Sequence, residues 1–452
     1  MAVFFSSLNN DLHELTLIEQ KQPPLKYTEY LDSMIVSDST SQKENYFFIG
    51  SYGGGLKANL WNLLILDKLE NESQQRFYKK TLVMSGVSGG AVGIGNYSSL
   101  LFEQKDDSIE IEKRILQIGK SNVLSNELTY LLGWDWVREY FPFPKYKGRD
   151  RSYKSMKSHA TFTGMDTSYN KIGYSDYWQK IYEQRDYKFP ALIMNTTAVG
   201  GRQGVASTVK FPPDTFAGAD SIASFNGENK YKTLTYFGAI STTNRFPFFS
   251  PTAKIPTKGS YLDGGYFENS GLLSAVQVYD AIAGDATKKY HNSFTPIFIN
   301  IINSEDFYIS QKINEWKIKV NNPNDEGEIS SIIGTVVSID KLPRYITEKI
   351  RARQFAVIPV MMPHKLSYQK VKDILKADVG EPIDLMQKIE AHNDSINTAL
   401  KEFKYYKLDK WGVVQPPLAR LLSTPAVYYQ AAMINCHPSV IETLKRIKDS
   451  LQ

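Results

Sequence analysis

Residues 81–95 read TLVMSGVSGGAVGIG. A short apolar run ends in Ser88, which is framed by Gly86, Gly89 and Gly90, and a stretch of small residues follows. Glycine loses the most backbone entropy on folding, so glycines gathered around one serine mark a place where side chains do not fit. A sharp strand-to-helix turn that exposes a serine as a nucleophile has this requirement, and Gly86-Val87-Ser88-Gly89-Gly90 has its G-x-S-x-G spacing. An ordinary glycine-rich turn can show the same letters, so the neighbouring sequence decides.

Upstream lies YFFIGSYGGGLKANLWNLLILDKLE, residues 46–70. The aromatic and β-branched run 46–49 predicts a buried strand. Gly53, Gly54 and Gly55 predict a turn. Leu60, Leu63, Leu64, Leu66 and Leu69 then recur with the period of an amphipathic helix from Leu56. Residues 81–84 predict a second strand and 90–101 a second helix. Such β-loop-α units favour parallel strands with right-handed crossovers. The Gly53–55 loop and Ser88 then share the carboxyl edge of one sheet, where ligands bind. Unshielded N–H groups at a helix N-terminus suit a developing oxyanion. A phosphate loop is the alternative, but neither GGGLKAN nor GSYGGG has the spacing of a phosphate-binding fingerprint.

A serine nucleophile needs a base. His159, His291, His364, His392 and His437 follow Ser88, and none lies in a glycine-marked loop at a strand end. The better candidate is in KGSYLDGGYFENSGLLSAV, residues 258–276. There a short strand ends at Leu262, Asp263 precedes two glycines, and Asn269 reads as a cap before a helix. A turn aspartate beside glycines is the ordinary reading. The three glycine-marked signals together outweigh any one of them.

The wider chain sets bounds. It has 452 residues, net charge +5, 42% hydrophobic and 22% charged residues and one cysteine, Cys436. That is a globular composition, too weakly basic to argue for nucleic acid. One cysteine excludes an intrachain disulfide and a cysteine-based metal site. No secretory signal or run of about 18 apolar residues is seen, so a cytoplasmic or peripheral membrane location is expected. Residues 1–44 read as an irregular N-terminal segment and 45–304 as the catalytic domain. A charged, aromatic, largely helical insertion is expected at 105–185. Residues 305–452 read as a mixed helical region with one further strand, packed on the catalytic domain. Within the insertion, LTYLLGWDWVREYFPFPKYKGRDRSYKSMK (128–157) places Trp134, Trp136, Tyr140, Phe141 and Phe143 before Lys145, Lys147, Arg149, Arg151, Lys154 and Lys157. That order suits peripheral contact with an anionic membrane, or else a small aromatic core with a solvated basic loop.

GGGLK, GVSGG and DGGYFENSG, in that order, resemble the patatin-like phospholipase family. The resemblance covers about 46–104 and 190–283. NTTAVGGRQGVAS (195–207), NRFPFFSP (244–251) and PPLARLLS (416–423) extend it more weakly. Ala58 departs from members with glycine after the basic residue. The resemblance implies a three-layer α/β/α sandwich around a mainly parallel sheet. It implies Ser88 as nucleophile and Asp263 as general base, without histidine. Gly54 and Gly55, with Gly53 or Gly89, would hold the oxyanion, and Lys57 would be structural or electrostatic. It implies hydrolysis of lipid or phospholipid acyl esters through an acyl-serine, with no metal or other cofactor. A histidine-dependent serine esterase and a non-catalytic lipid-binding module are the alternatives. The oligomeric state is not readable from these residues.

Overall fold

The computed structural model describes residues 13–35, 43–135, 137, 150–165, 169–226, 231–246, 250–284, 289–290, 293–317, 346, 353, 355–375 and 383–451. Their strands form two sheets. The smaller is antiparallel, in the order β1 (Leu17–Glu19), β8 (Tyr231–Leu234), β7 (Ser224–Asn226). The larger contains β2 (Glu44–Ser51), β3 (Thr81–Val87), β4 (Ala191–Ala198), β5 (Gln203–Ser207), β6 (Asp220–Ser221), β9 (Ala253–Ile255), β10 (Gly259–Leu262), β11 (Phe294–Ile302) and β12 (Ala356–Met361). Its path is β12-β11-β2-β3-β4-β10-β9, with β5 and β6 branching from β4. The five strands from β12 to β4 are parallel; β10, β9 and β5 are antiparallel. All of β3 and β4 is buried, the condition that near-continuous apolar runs such as TLVM satisfy in a sheet covered on both faces.

The helices include α1 (Tyr27–Met34), α2 (Gly55–Glu72), α3 (Ser88–Glu103), α4 (Ser108–Gly119), α5 (Val123–Thr129), α6 (Arg151–Thr163), α7 (Tyr174–Gln184), α8 (Tyr236–Thr242), α9 (Leu272–Ala283), α10 (Glu305–Glu315), α11 (Ile383–Glu402), α12 (Thr424–Cys436) and α13 (Pro438–Asp449), with further ones at Tyr368–Leu375 and Leu408–Trp411. Two adjacent residues of β2 show how they sandwich the sheet. A Cβ at Gly50 would lie 2.8 Å from Leu272 Cα of α9, whereas Ser51 Oγ donates to Asn62 Oδ1 of α2 at 2.5 Å. Successive strand residues face opposite sides, so α9 and α2 cover opposite faces. With α3 beside α2, the result is three α/β/α layers around a mainly parallel sheet.

Three sequence expectations change. The N-terminal segment is not irregular throughout, because α1 buries Tyr30, Leu31 and Met34 in the main core. Tyr30 Oη donates to Leu82 O of β3 at 2.6 Å and accepts from Ala191 N of β4 at 2.9 Å, tying the two strands. Helix α2 is not amphipathic in use. Its residues Leu56 to Leu66 are all buried, since α3, α4, α12 and α13 pack around it. Asn269 is not the helix cap: Gly271 precedes α9 with φ +68, and the Asn269 carbonyl accepts Gly53 N–H at 3.1 Å. The C-terminal region contributes edge strand β12 to the sheet and lays α12 and α13 on α2.

Candidate active site

The carboxyl ends of β2, β3 and β4 are in register, with Ser51 opposite Gly86 and Val87 opposite Asn195. The chain leaves β3 at Val87 and enters α3 at Ser88 without an intervening loop. Ser88 therefore takes φ +48, in the left-handed region, at a cost of roughly 1–2 kcal/mol for a non-glycine residue. Its N–H donates to Thr243 Oγ1 at 2.8 Å, and the Thr243 hydroxyl donates to Asn195 O. The elbow glycines keep ordinary negative φ and serve close approach instead. A Cβ at Gly86 would lie 2.6 Å from Ala91 Cα, one at Gly90 2.4 Å from Tyr52 O, and one at Gly89 2.0 Å from Gly55 O.

Ser88 Oγ donates to Asp263 Oδ2 at 2.6 Å across 175 residues of sequence. Both residues are buried, 7% and 4% exposed. The other carboxylate oxygen, Oδ1, accepts Gly265 N–H at 2.9 Å. Asp263 does not reach the site at the carboxyl edge of a parallel strand. β10 runs antiparallel down the end of β4, pairing Leu262 with Thr197, and so delivers Asp263 from the opposite direction. Gly264 allows this, since a Cβ there would lie 2.2 Å from Asn195 O. Burial pushes the Asp263 carboxyl up to about 6; the bonds from Ser88 and Gly265 and the charge of Arg420 oppose that rise.

The glycine loop after β2 lies against the elbow. Gly53 is not an available oxyanion donor, because its N–H is bonded to Asn269 O. Its carbonyl is held by Asn303 Nδ2 at 2.9 Å. Gly54 has φ +142, and the N–H groups of Gly54, Gly55 and Gly89 have no acceptor among the described residues. The next N–H, of Leu56, donates to Ala419 O at 2.9 Å. Residues 416–423 thus lie across the start of α2. From this strap, Arg420 pairs with the buried Glu127 and reaches Asn244 O at 3.4 Å. Burial pushes Glu127 up to about 7 despite that cation. A cavity of about 20 Å³ remains beside Ser88, lined by Gly55, Leu56, Gly89, Val92, His159 and Arg420 among others.

Sequence reasoning missed Thr243, Arg245, Asp150, Asn303 and the role of Arg420, although NRFPFFSP and PPLARLLS pointed to two of their segments. Arg245 is fully buried, pairs with Asp150 at 2.8 Å, and its carbonyl accepts Asp263 N–H at 3.1 Å. Burial alone would raise Asp150; Arg245 and His13 reverse this and hold it well below the usual carboxylate range. The histidines divide. His159 lines the cavity and lies 3.1 Å from Asn96 Nδ2, with burial pulling it down to about 4. His364 contacts Asn303 O behind the glycine loop, and His392 contacts His364 O. His437 bonds Ser395 and Ser439, and His291 lies outside the described residues. Burial lowers His364, and the charge of the buried Lys57 adds to that.

Of the 128–157 run, the Trp134 side chain and Trp136, Tyr140, Phe141, Phe143, Lys145, Lys147 and Arg149 lie outside the described residues. Arg151 is not a surface cation; it is buried against Asp135 at 3.1 Å. Lys157 is exposed and Lys154 half-buried. No helix among the described residues is long and apolar enough to cross a membrane.

No protein-family model matches the chain, and a search of curated proteins finds no match. Among solved structures the chain is similar to VipD from Legionella pneumophila, with 12% identity over 95% of this chain and 84% of that one and a TM-score of 0.30. It is also similar to the heterodimeric ExoU–SpcU complex of the Pseudomonas aeruginosa type III secretion system, with 13% identity over 96% and 75% and a TM-score of 0.28. At TM-scores this low neither likeness bears on the chemistry of this chain.

Proposed function

We propose that the chain is a serine hydrolase of lipid acyl esters, of the phospholipase A type, working through Ser88 and Asp263. The observation that carries this reading is the 2.6 Å bond between Ser88 Oγ, set on a left-handed elbow, and the buried Asp263 carboxylate. Asp263 takes the hydroxyl proton as Ser88 attacks the ester carbonyl. Gly54, Gly55 and Gly89 N–H groups receive the oxygen that becomes negative. Asp263 then protonates the departing alcohol, leaving an acyl-serine. Water, deprotonated by the same carboxylate, attacks that ester and frees the acid and Ser88. Leu56, Val92 and Val123 make part of the cavity wall apolar, as an acyl chain requires. A space of about 20 Å³ holds about one water, so an acyl chain enters only when the wall moves.

The position of His159 on the cavity favours a second reading, a histidine-dependent esterase. Fluorophosphonate labelling with peptide mapping, combined with turnover of a p-nitrophenyl ester, separates the two. The dyad requires labelling at Ser88, loss of turnover in folded Asp263→Asn, and retained turnover in His159→Gln. Loss in His159→Gln with turnover kept in Asp263→Asn reverses the assignment. No labelling and no turnover of any acyl ester would leave the lipid-binding module.

A further inference from the structure

The proposed reaction calls on the N–H groups of Gly54, Gly55 and Gly89, and the direction of each has to be fixed before substrate arrives. A trans peptide plane points its C=O and N–H in opposite directions, so whatever holds a carbonyl also aims the N–H of the next residue. Helices fix two of the three planes. The Gly54 carbonyl accepts Ala58 N–H at 3.3 Å at the start of α2, which aims Gly55 N–H. Gly89 lies in the first turn of α3. The plane between Gly53 and Gly54 belongs to no strand and precedes α2. Its carbonyl is held by a single side chain, through Asn303 Nδ2 at 2.9 Å.

Sheet order gives that bond its direction. Strand β2 lies between β11 and β3 and is parallel to both. Asn303 is the residue after β11, and Ser88 is the residue after β3. The loop after β2 therefore has Asn303 on one side and Ser88 on the other. It touches both neighbours: Tyr52 N–H donates to Ile301 O at 3.0 Å, and a Cβ at Gly53 would lie 3.1 Å from Ser88 Cβ. Drawing the Gly53 carbonyl toward β11 turns the Gly54 N–H away from β11, to the side where Ser88 stands. Gly54 admits this turn with φ +142, and a Cβ there would lie 2.3 Å from Asn303 Oδ1. Asn303 is itself held in place. It is 2% exposed, its carbonyl lies 3.3 Å from His364 Nε2, and Ser304 after it caps α10 by accepting Phe307 N–H.

We infer that Asn303 is a positioning residue for the oxyanion site, holding the Gly53 carbonyl so that the Gly54 N–H is aimed at the oxygen that becomes negative when Ser88 attacks. The inference rests on the acyl-hydrolase reading, and it names the side chain that orients the one donor no helix sets. Asn303 acts through Gly54. The spacing between loop and elbow is kept by the backbone contact at Gly89, so changing Asn303 leaves the Ser88–Asp263 pair in place and weakens what is specific to the charged tetrahedral state.

The test uses the full chain, a soluble p-nitrophenyl ester and an alkyl trifluoromethyl ketone. Ser88 Oγ adds to the ketone carbonyl and its proton passes to Asp263, leaving a hemiketal oxyanion with the charge of the transition state. Asn303→Asp keeps the shape of the side chain but sets an oxygen against the Gly53 carbonyl. Asn303→Ser only removes atoms and serves if the aspartate variant does not fold. Each is expected to lower kcat about 100-fold with KM little changed, and to raise the inhibition constant of the ketone by the factor that kcat/KM loses. The carbonyl stretch of the acyl-Ser88 ester should move to higher frequency, because a misdirected donor polarises it less. Unchanged kcat in a folded variant overturns the proposal. So does a kcat loss with ketone affinity and carbonyl frequency unmoved, which marks a structural role alone. Wild type that turns over no acyl ester and takes no fluorophosphonate at Ser88 overturns the hydrolase reading and the inference with it; active wild type with indifferent variants overturns the inference alone.

Discussion

Ser88 and Asp263 form one unit, so removing either removes most of what the pair contributes. Ser88→Ala and Asp263→Asn are each expected to lower kcat by about 10³ or more, and the double variant little further. Steady-state kinetics on one soluble ester measures all three; additive losses would contradict a dyad. The same pair sets the pH dependence. Asp263 acts as base only when ionised, and burial raises it to about 6. Activity therefore falls as pH drops through about 6, approaching a tenfold loss per unit below it. Stability responds with the opposite sign. A carboxyl raised from 3.8 favours the fold in its neutral form, fully below about 4, and that contribution is lost as pH rises through about 6. At pH 8 Asp263→Asn is accordingly expected to melt higher than wild type, while at pH 4 the two converge. Thermal unfolding monitored by circular dichroism at both values checks this.

Between elements, the contacts that align donors with nucleophile are backbone against backbone. A Cβ at Gly89 would lie 2.0 Å from Gly55 O, so Gly89→Ala must push the glycine loop away from Ser88. The expected result is a loss in kcat of about 100-fold or more, as for removal of an oxyanion donor, with the Ser88–Asp263 pair intact. Fluorophosphonate labelling and turnover falling together in a folded Gly89→Ala support it; unchanged kcat refutes it. The strap acts through Arg420. Removing that cation leaves Glu127 buried and uncompensated, a destabilisation of roughly 3–5 kcal/mol for a broken buried pair. It also removes a charge that holds Asp263 down. Arg420→Gln should therefore shift the acid limb of the pH–rate profile upward, which a purely structural role would not do.

Over the whole molecule, one core unites regions far apart in sequence. Tyr30 bridges β3 and β4 below the elbow, and β12, α12 and α13 close the sheet and α2 from the other end of the chain. Tyr30→Phe strands Leu82 O and Ala191 N in the interior and is expected to cost about 1–3 kcal/mol. Urea unfolding measures it. Deletion of residues 1–35 should be far more damaging, because Tyr30, Leu31 and Met34 leave the core together.

Local sterics can be read straight off the amino-acid string. A run such as TLVMSGVSGG admits few backbones. Gly54 sits where φ must be positive, and Gly86, Gly89 and Gly90 where backbones touch, so the demand for no side chain is written at each position. The parallel β-α units were legible for the same reason, since strand and helix periodicities are local. The remaining features arise from packing between distant segments. The turn at Thr243 to Arg245, the withdrawal of Gly53 from the donor set and the strap bearing Arg420 depend on partners more than 100 residues away, and the reversed direction of β10 on a strand some 65 residues back. No periodicity links Asp150 to Arg245, or Glu127 to Arg420. A buried ion pair reads in sequence as two ordinary charges, and folding alone gives each its partner.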